Sequence, residues 1–247
     1  MNILAAFILF TRLPFWRIRE VPSERFKNVI CYWPLVGWLT GGCMAAVLWL
    51  AMQLFPLSVA VILAILSRLA LTGALHEDGL ADFWDGFGGG NTRDRVLSIM
   101  KDSHIGTYGV LGLIIYFLLL YALLTSIPFP LVCMVVIVGD TWSKCVAAQL
   151  INRLPYARTE EECKTKAIYN RMSWKELAIV FFCGLLPAVL FFSVKYWTAL
   201  LFPIVVFFFL YGWMKKCIQG YTGDCCGAMF LLCELSFYLG VVMMLNH

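Results

Sequence analysis

Residues 76–86 read His-Glu-Asp-Gly-Leu-Ala-Asp-Phe-Trp-Asp-Gly, which places four carboxylates, Glu77, Asp78, Asp82 and Asp85, in one short segment. No cation follows until Arg93. Like charges this close repel, so either protons are retained or a cation sits among them. If residues 78–85 are helical, Asp78, Asp82 and Asp85 fall four and three apart on one face, neighbouring Cβ atoms being roughly 5–6 Å apart. Carboxylate oxygens suit Mg²⁺, with Mn²⁺ as the alternative, far better than Zn²⁺, which prefers Cys and His. Mg²⁺ takes one or two protein carboxylates and completes its shell with water and substrate phosphate. Four carboxylates are also enough for a metal pair about 3.5–4 Å apart that clamps attacking and leaving oxygens. The plainer alternative is a solvated loop with incidental acids. The small residues Gly79, Ala81 and Gly86, with bulky Phe83 and Trp84 between the acids, argue against it.

Arg93, Arg95, Lys101 and His104 lie within the same connection. Arginine's planar fork matches phosphate oxygens, so Arg93 and Arg95 are candidates to hold them; a purely topological role for these cations is the competing reading. Lys101-Asp102-Ser103-His104 stands where the chain turns apolar again. Asp224, within Gly-Tyr-Thr-Gly-Asp at 220–224, is either a helix-capping residue or a lip of the same site. Arg68, Asp140, Lys144 and Glu234 fall inside apolar stretches, where ionisable groups are costly and face a protein interior. Asp140 and Lys144, four apart, suit a local ion pair. Arg68, about two turns before His76, is placed to reach a polar cavity beneath the acidic segment.

These groups are held by apolar elements. The 247-residue chain is 62% hydrophobic and 14% charged, far below the roughly 25% charge of soluble domains. Apolar runs near twenty residues, enough for a hydrocarbon core about 30 Å thick, recur at Pro34–Phe55, Leu57–Leu75, Ile105–Ser126, Leu131–Ile151, Glu176–Val194, Trp197–Met214 and Cys226–Asn246. The expected fold is an all-α integral membrane protein, a single polytopic domain over residues 1–247. It has about seven transmembrane helices, plus a short amphipathic or re-entrant segment at Asn2–Phe10 that is too short to span and lacks the flanks of a cleavable leader. Basic residues concentrate in connections near 11–33, 76–104, 152–175 and 214–225, while the alternate connections are short and nearly uncharged. The positive-inside rule puts the basic connections and the amino terminus in the cytoplasm and the carboxyl terminus outside. Gly86–Gly90 is expected to stop a helix, and Asn91 or Thr92 to cap a short one running toward Lys101. Glu160, Glu161 and Glu162 beside Lys164 and Lys166 read as a solvated helix face. The cysteines show no CxxC pair and read as small buried hydrophobes.

The acidic segment, the Gly-rich turn, and Arg-Asp-Arg-x-x-x-Ile-Met-Lys-Asp-Ser-x-Ile-Gly-Thr-x-Gly from Arg93 together resemble the cobalamin synthase family. Thr11-Arg12-Leu13-Pro14 and Thr222-Gly223-Asp224 are similar to that family too, and the likeness covers essentially the whole chain. The resemblance implies an adenosylcobinamide-GDP ribazoletransferase of the bacterial inner membrane that is Mg²⁺-dependent. Such an enzyme joins adenosylcobinamide-GDP to α-ribazole or its 5′-phosphate and releases GMP. The implied partners are those substrates and membrane lipid, with no nucleic acid; oligomeric state is not legible. On this reading Glu77, Asp78, Asp82 and Asp85 share the metal. Asp82 acts on the ribazole hydroxyl, with His76 beside it. Arg12, Arg93, Arg95, Lys101, His104 and Asp224 serve phosphate or substrate. Trp16, Trp33, Trp38, Trp84 and Trp142 are either stacking partners for the corrinoid or interfacial anchors.

Two rivals are weighed. CDP-alcohol phosphotransferases also array aspartates on membrane helices, but their Arg after the first motif and their distal Asp pair are missing here. An ion-coupled transporter would use Arg68, Asp140, Lys144 and Glu234 near the midplane between repeats, and no repeat is visible.

Overall fold

A computed structural model describes residues 1–158 and 168–246. The expected charged face at 160–166 lies outside the described residues. Eleven α-helices are present among the described residues: α1 (Asn2–Phe10), α2 (Trp33–Ala51), α3 (Leu57–Thr72), α4 (Leu75–Gly89), α5 (Arg93–Lys101), α6 (Thr107–Thr125), α7 (Leu131–Ala148), α8 (Leu150–Arg153), α9 (Trp174–Phe191), α10 (Leu201–Cys217) and α11 (Gly223–Leu245). Six segments are long and apolar enough to cross a membrane, and the bent pair α3–α4 makes a seventh. The protein is an all-α integral membrane protein. Its expected spans match the observed helices to within a few residues.

The core is built around α7 and α11. α2 packs along α7 and, on another side, along α3; α11 packs against α4, α7 and α10. Fourteen residues of α7 are buried, including Asp140, Thr141, Ser143 and Lys144. That polar content explains why α7 sits at the centre: a lipid-facing helix has no partners for such groups.

The decisive local event lies between α3 and α4. Gly73 adopts φ +66° and Ala74 φ +55°, and the Ala74 amide donates to the Leu69 carbonyl at 3.1 Å. This is the helix-ending bond of a Schellman turn, with Gly at the left-handed position. The second left-handed residue, Ala74, is uncommon outside glycine and costs about 1–3 kcal/mol. The segment after α1 braces it: the Arg12 amide donates to the Leu71 carbonyl at 2.7 Å, and the Arg12 side chain lies where a Cβ on Gly73 would stand. The chain turns by 90°. α4 therefore leaves the end of α3 at a right angle and packs against α11, α6 and α5.

The Gly-rich stretch stops α4 as expected, but only at its far end: the helix runs to Gly89, with Gly90 extended at its C-cap. Its glycines serve close approach. A Cβ on Gly86 would meet Val96 O at 3.1 Å and the Met100 side chain, so α5 packs directly on the end of α4. Thr92 caps α5 as expected, its hydroxyl accepting from the Arg95 amide at 3.3 Å.

The basic connections gather at one end of the bundle. Arg93 donates through Nη2 to the Ala157 carbonyl at 2.7 Å and through Nε to the Ile218 carbonyl at 3.2 Å. The Asn170 amide donates to the Lys27 carbonyl at 2.8 Å. Four separate stretches of sequence thereby meet at the level of α4.

Candidate active site

α4 carries the acidic segment on a helix, as the spacing predicts, but its four carboxylates go to different places. Asp78 is exposed and Asp82 half-buried, one turn apart on the open face. Glu77 is buried, 3% exposed, and its Oε1 lies 3.6 Å from Arg68 Nη2. Asp85 is also buried and accepts from the Gly106 and Gly109 amides at 2.7 and 2.8 Å. It satisfies the free N–H groups at the start of α6, the role usually played by a capping side chain. The stripe of Asp78, Asp82 and Asp85 is therefore open at one end and covered by α6 at the other. Among the described residues no three His, Cys, Asp or Glu side chains converge to hold a metal by themselves.

Beneath α4 the ionic residues of the spans form two buried clusters. Arg68 donates through Nη1 to both Glu234 oxygens at 2.7 Å and through Nη2 to the Tyr116 hydroxyl at 2.6 Å. Tyr238 donates to Glu234 Oε1 at 2.8 Å. Glu77 is thus the second carboxylate on Arg68, and it ties the first turn of α4 to the interior of the bundle. The anticipated Asp140–Lys144 pair is present. It is extended by Thr40, whose hydroxyl donates to Asp140 Oδ2 at 2.9 Å and faces Lys144 Nζ at 3.0 Å.

The open face adjoins a cavity of about 130 Å³, bounded by the end of α1, the starts of α2 and α4, the first turn of α11 and the segment at 156–158. Its charged lining residues are Asp78, Arg158 and Asp224, with His76 alongside. α4 and α11 cross closely here: a Cβ on Gly79 would lie 3.0 Å from Asp224 Cα. Thr222, fully buried, caps α11 by accepting from the Cys225 amide at 3.3 Å. The capping role weighed for Asp224 thus belongs to Thr222, and Asp224 is a lip of the cavity. Arg158 is 8% exposed and donates to the Leu97 carbonyl at 3.0 Å. Its segment is pinned by two further bonds, Ala157 N to Tyr221 O at 2.8 Å and Tyr221 N to Pro155 O at 3.0 Å.

The remaining expected site residues fall around this centre. His76, 4% exposed, lines the cavity. Arg12 braces the α3–α4 bend. Arg93 binds backbone carbonyls, so its guanidinium organises the 157 and 218 segments. Arg95, Lys101 and His104 are exposed on α5 and the turn after it. His104 Nδ1 lies 2.8 Å from Asp102 Oδ1, and this contact holds the Asp102 carboxyl below its usual range. Arg158, by contrast, had no motif to mark it; in sequence it is one cation among several in a long basic connection.

Asp78, Asp82 and Asp224 present oxygen donors only, on an accessible face beside an arginine. That donor set fits a Mg²⁺ that keeps most of its shell for water and substrate phosphate, which needs one or two protein carboxylates. It does not fit a site closed by protein alone.

Comparison with known proteins decides the family. Residues 2–242 match the model of the cobalamin-5-phosphate synthase family. The chain belongs to that family. Among similar proteins, the adenosylcobinamide-GDP ribazoletransferase of Vibrio parahaemolyticus is 39% identical over 97% of this chain and 91% of its own length. That of Vibrio cholerae is 38% identical over 99% and 94%, and that of Shewanella amazonensis 38% over 98% and 94%. No solved structure matches. The family likeness thus runs through every element that builds the cavity, from α1 to α11.

Proposed function

We propose that this cobalamin-5-phosphate synthase family member transfers the adenosylcobinamide phosphate moiety of adenosylcobinamide-GDP to α-ribazole or α-ribazole 5′-phosphate. GMP leaves, and adenosylcobalamin or its 5′-phosphate forms. The observation that carries the reading is the near full-length match to named ribazoletransferases, joined to a cavity whose charges are Asp78, Asp224 and Arg158.

In this reaction a ribazole hydroxyl oxygen bonds to the phosphorus attached to cobinamide, and the bond from that phosphorus to the GMP oxygen breaks. The hydroxyl proton must go to a base, and GMP departs with added negative charge. Asp82, half-buried on the open face of α4, is assigned the proton. Arg158 offsets charge on the departing phosphate, since preorganised cations are the main means of lowering the barrier to phosphoryl transfer. Asp78 and Asp224, on two helices locked together at Gly79, set the position of the diphosphate. Mg²⁺, when bound to these carboxylates, supplies charge neutralisation at the phosphate oxygens. Glu77 and Asp85 act as positioning residues for α4. The convergence of the basic connections at the level of α4 supports a reaction at the cytoplasmic face of the bacterial inner membrane, with the amino terminus inside and the carboxyl terminus in the periplasm.

The test is GMP release by the purified, bilayer-reconstituted protein given Mg²⁺, adenosylcobinamide-GDP and α-ribazole. Release requiring both substrates is expected. Absence of release from folded protein overturns the reading.

A further inference from the structure

The rings of Phe10, Trp33 and His76 are nearly parallel to one another, with interplanar angles of 14–24°. Their centroids stand 5.4 Å (Phe10–Trp33), 5.7 Å (Trp33–His76) and 6.2 Å (Phe10–His76) apart. A linear stack would put its outer rings at about twice the inner spacing, so these three overlap as tiles of one platform. Phe230 meets His76 edge-on at 4.9 Å and backs the platform within the core. All three tiles line the 130 Å³ cavity.

The platform carries unmet hydrogen-bonding groups. Among the described residues Trp33 Nε1, His76 Nε2 and, across the cavity, Arg158 Nε are buried without a partner, on residues only 1%, 4% and 8% exposed. Two of them, the indole and guanidinium N–H, can only donate. Buried donors without acceptors are rare and costly, so a ligand offering acceptor atoms in or near a ring plane is the natural complement. Size narrows it further. A cavity of about 150 Å³ holds a benzene ring; at about 130 Å³ this one has room for little more than one flat ring of a base against the platform and excludes a corrin macrocycle.

From these observations we infer that the Phe10–Trp33–His76 platform is the base-binding subsite, which stacks the heteroaromatic base of the acceptor nucleoside and directs its sugar toward Asp78 and Asp224. The inference rests on the transferase reading above for the identity of that nucleoside. The mainly apolar lining from Leu9, Ile30 and Leu75 favours the acceptor base. A guanine would need paired acceptors for its ring N–H and amino groups, whereas the unmet atoms here are chiefly donors. Stacking on aromatic side chains is a strong, sequence-tolerant way to hold a base, worth about 1–3 kcal/mol per base in nucleic-acid complexes.

Two variants test it in the full-length reconstituted protein. Trp33→Phe keeps a ring and removes the N–H; Leu9→Phe enlarges a half-buried wall residue and carries the test should Trp33→Phe fail to accumulate. Binding of α-ribazole and of GMP is measured separately by calorimetry, and the KM of each substrate by GMP release. The expected result is about tenfold weaker α-ribazole binding and a matching rise in its KM, with GMP binding and the adenosylcobinamide-GDP KM within about twofold. Weakened GMP binding with unchanged α-ribazole binding overturns the inference in favour of guanine, and unchanged binding of both overturns it outright. Trp33-dependent α-ribazole binding by a wild-type protein that releases no GMP would spare the subsite and sink the transferase reading.

Discussion

Two charged regions of this molecule lie close together and do opposite work. Arg68, Glu234, Glu77, Tyr116 and Tyr238 form a buried network in which the guanidinium serves two carboxylates, although Arg68 Nε and Glu77 Oε2 have no hydrogen-bond partner among the described residues. A few residues away, Asp78 and Asp224 line a cavity that also holds Arg158, and Asp82, half-buried, lies one turn along α4 from the exposed Asp78. Glu77 and Asp78 are sequence neighbours on opposite sides of this divide. The difference teaches that the acidic motif is bifunctional: Glu77 and Asp85 fasten α4 to the bundle and to α6, and the fastened helix presents Asp78 and Asp82.

The largest effect is expected at Asp82. Asp82→Asn should lower turnover by about 10²–10⁴-fold, the usual worth of a general base, with thermal stability in detergent close to wild type; near-normal GMP release would remove Asp82 from the chemistry. On the other side, Arg68→Leu should destabilise the protein by about 3–5 kcal/mol, because two buried carboxylates lose their cation. The readout is yield and unfolding midpoint, and a stable but inactive Arg68→Leu protein would mean that the buried network belongs to the site. Smaller still, Asp85→Ala should cost about 1.5–3 kcal/mol through loss of its charged acceptor to the Gly106 and Gly109 amides. Increased amide exchange at the start of α6 would locate that loss, and exchange unchanged from wild type would contradict it. Arg93→Ala should be mildest, about 1–2 kcal/mol for two bonds to carbonyls, with the adenosylcobinamide-GDP KM changed by less than about threefold. A tenfold rise in that KM would restore Arg93 to the phosphate site.

The seven apolar runs were legible because span length and hydropathy are properties of composition, and the Thr92 cap because its chemistry is local. The α3–α4 bend was not. Gly73 is an ordinary signal for a helix end, but Ala74 in a left-handed conformation carries none, being held there by Arg12 more than sixty residues away. Gly86–Gly90 was legible in part: the helix end within it follows from glycine's low helix propensity, whereas the close approach of Met100 and Val96 of α5 to Gly86 depends on tertiary packing. Spacing correctly put Asp78, Asp82 and Asp85 on one stripe. It had no means to show that α6 covers the stripe at Asp85. Arg158 and the ring platform were illegible because Arg158 is bound by Leu97 of α5 and the rings come from α1, α2, α4 and α11, which only the folded chain brings together.

The most direct test is a Mg²⁺ titration of GMP release by wild-type, Glu77→Gln and Asp82→Asn proteins under identical reconstitution. Glu77→Gln is expected to keep the wild-type Mg²⁺ midpoint within about threefold, while Asp82→Asn releases little GMP at any Mg²⁺ concentration. A Glu77→Gln midpoint displaced tenfold or more, alongside an active Asp82→Asn with an unchanged midpoint, would contradict the division between fastening and presenting carboxylates.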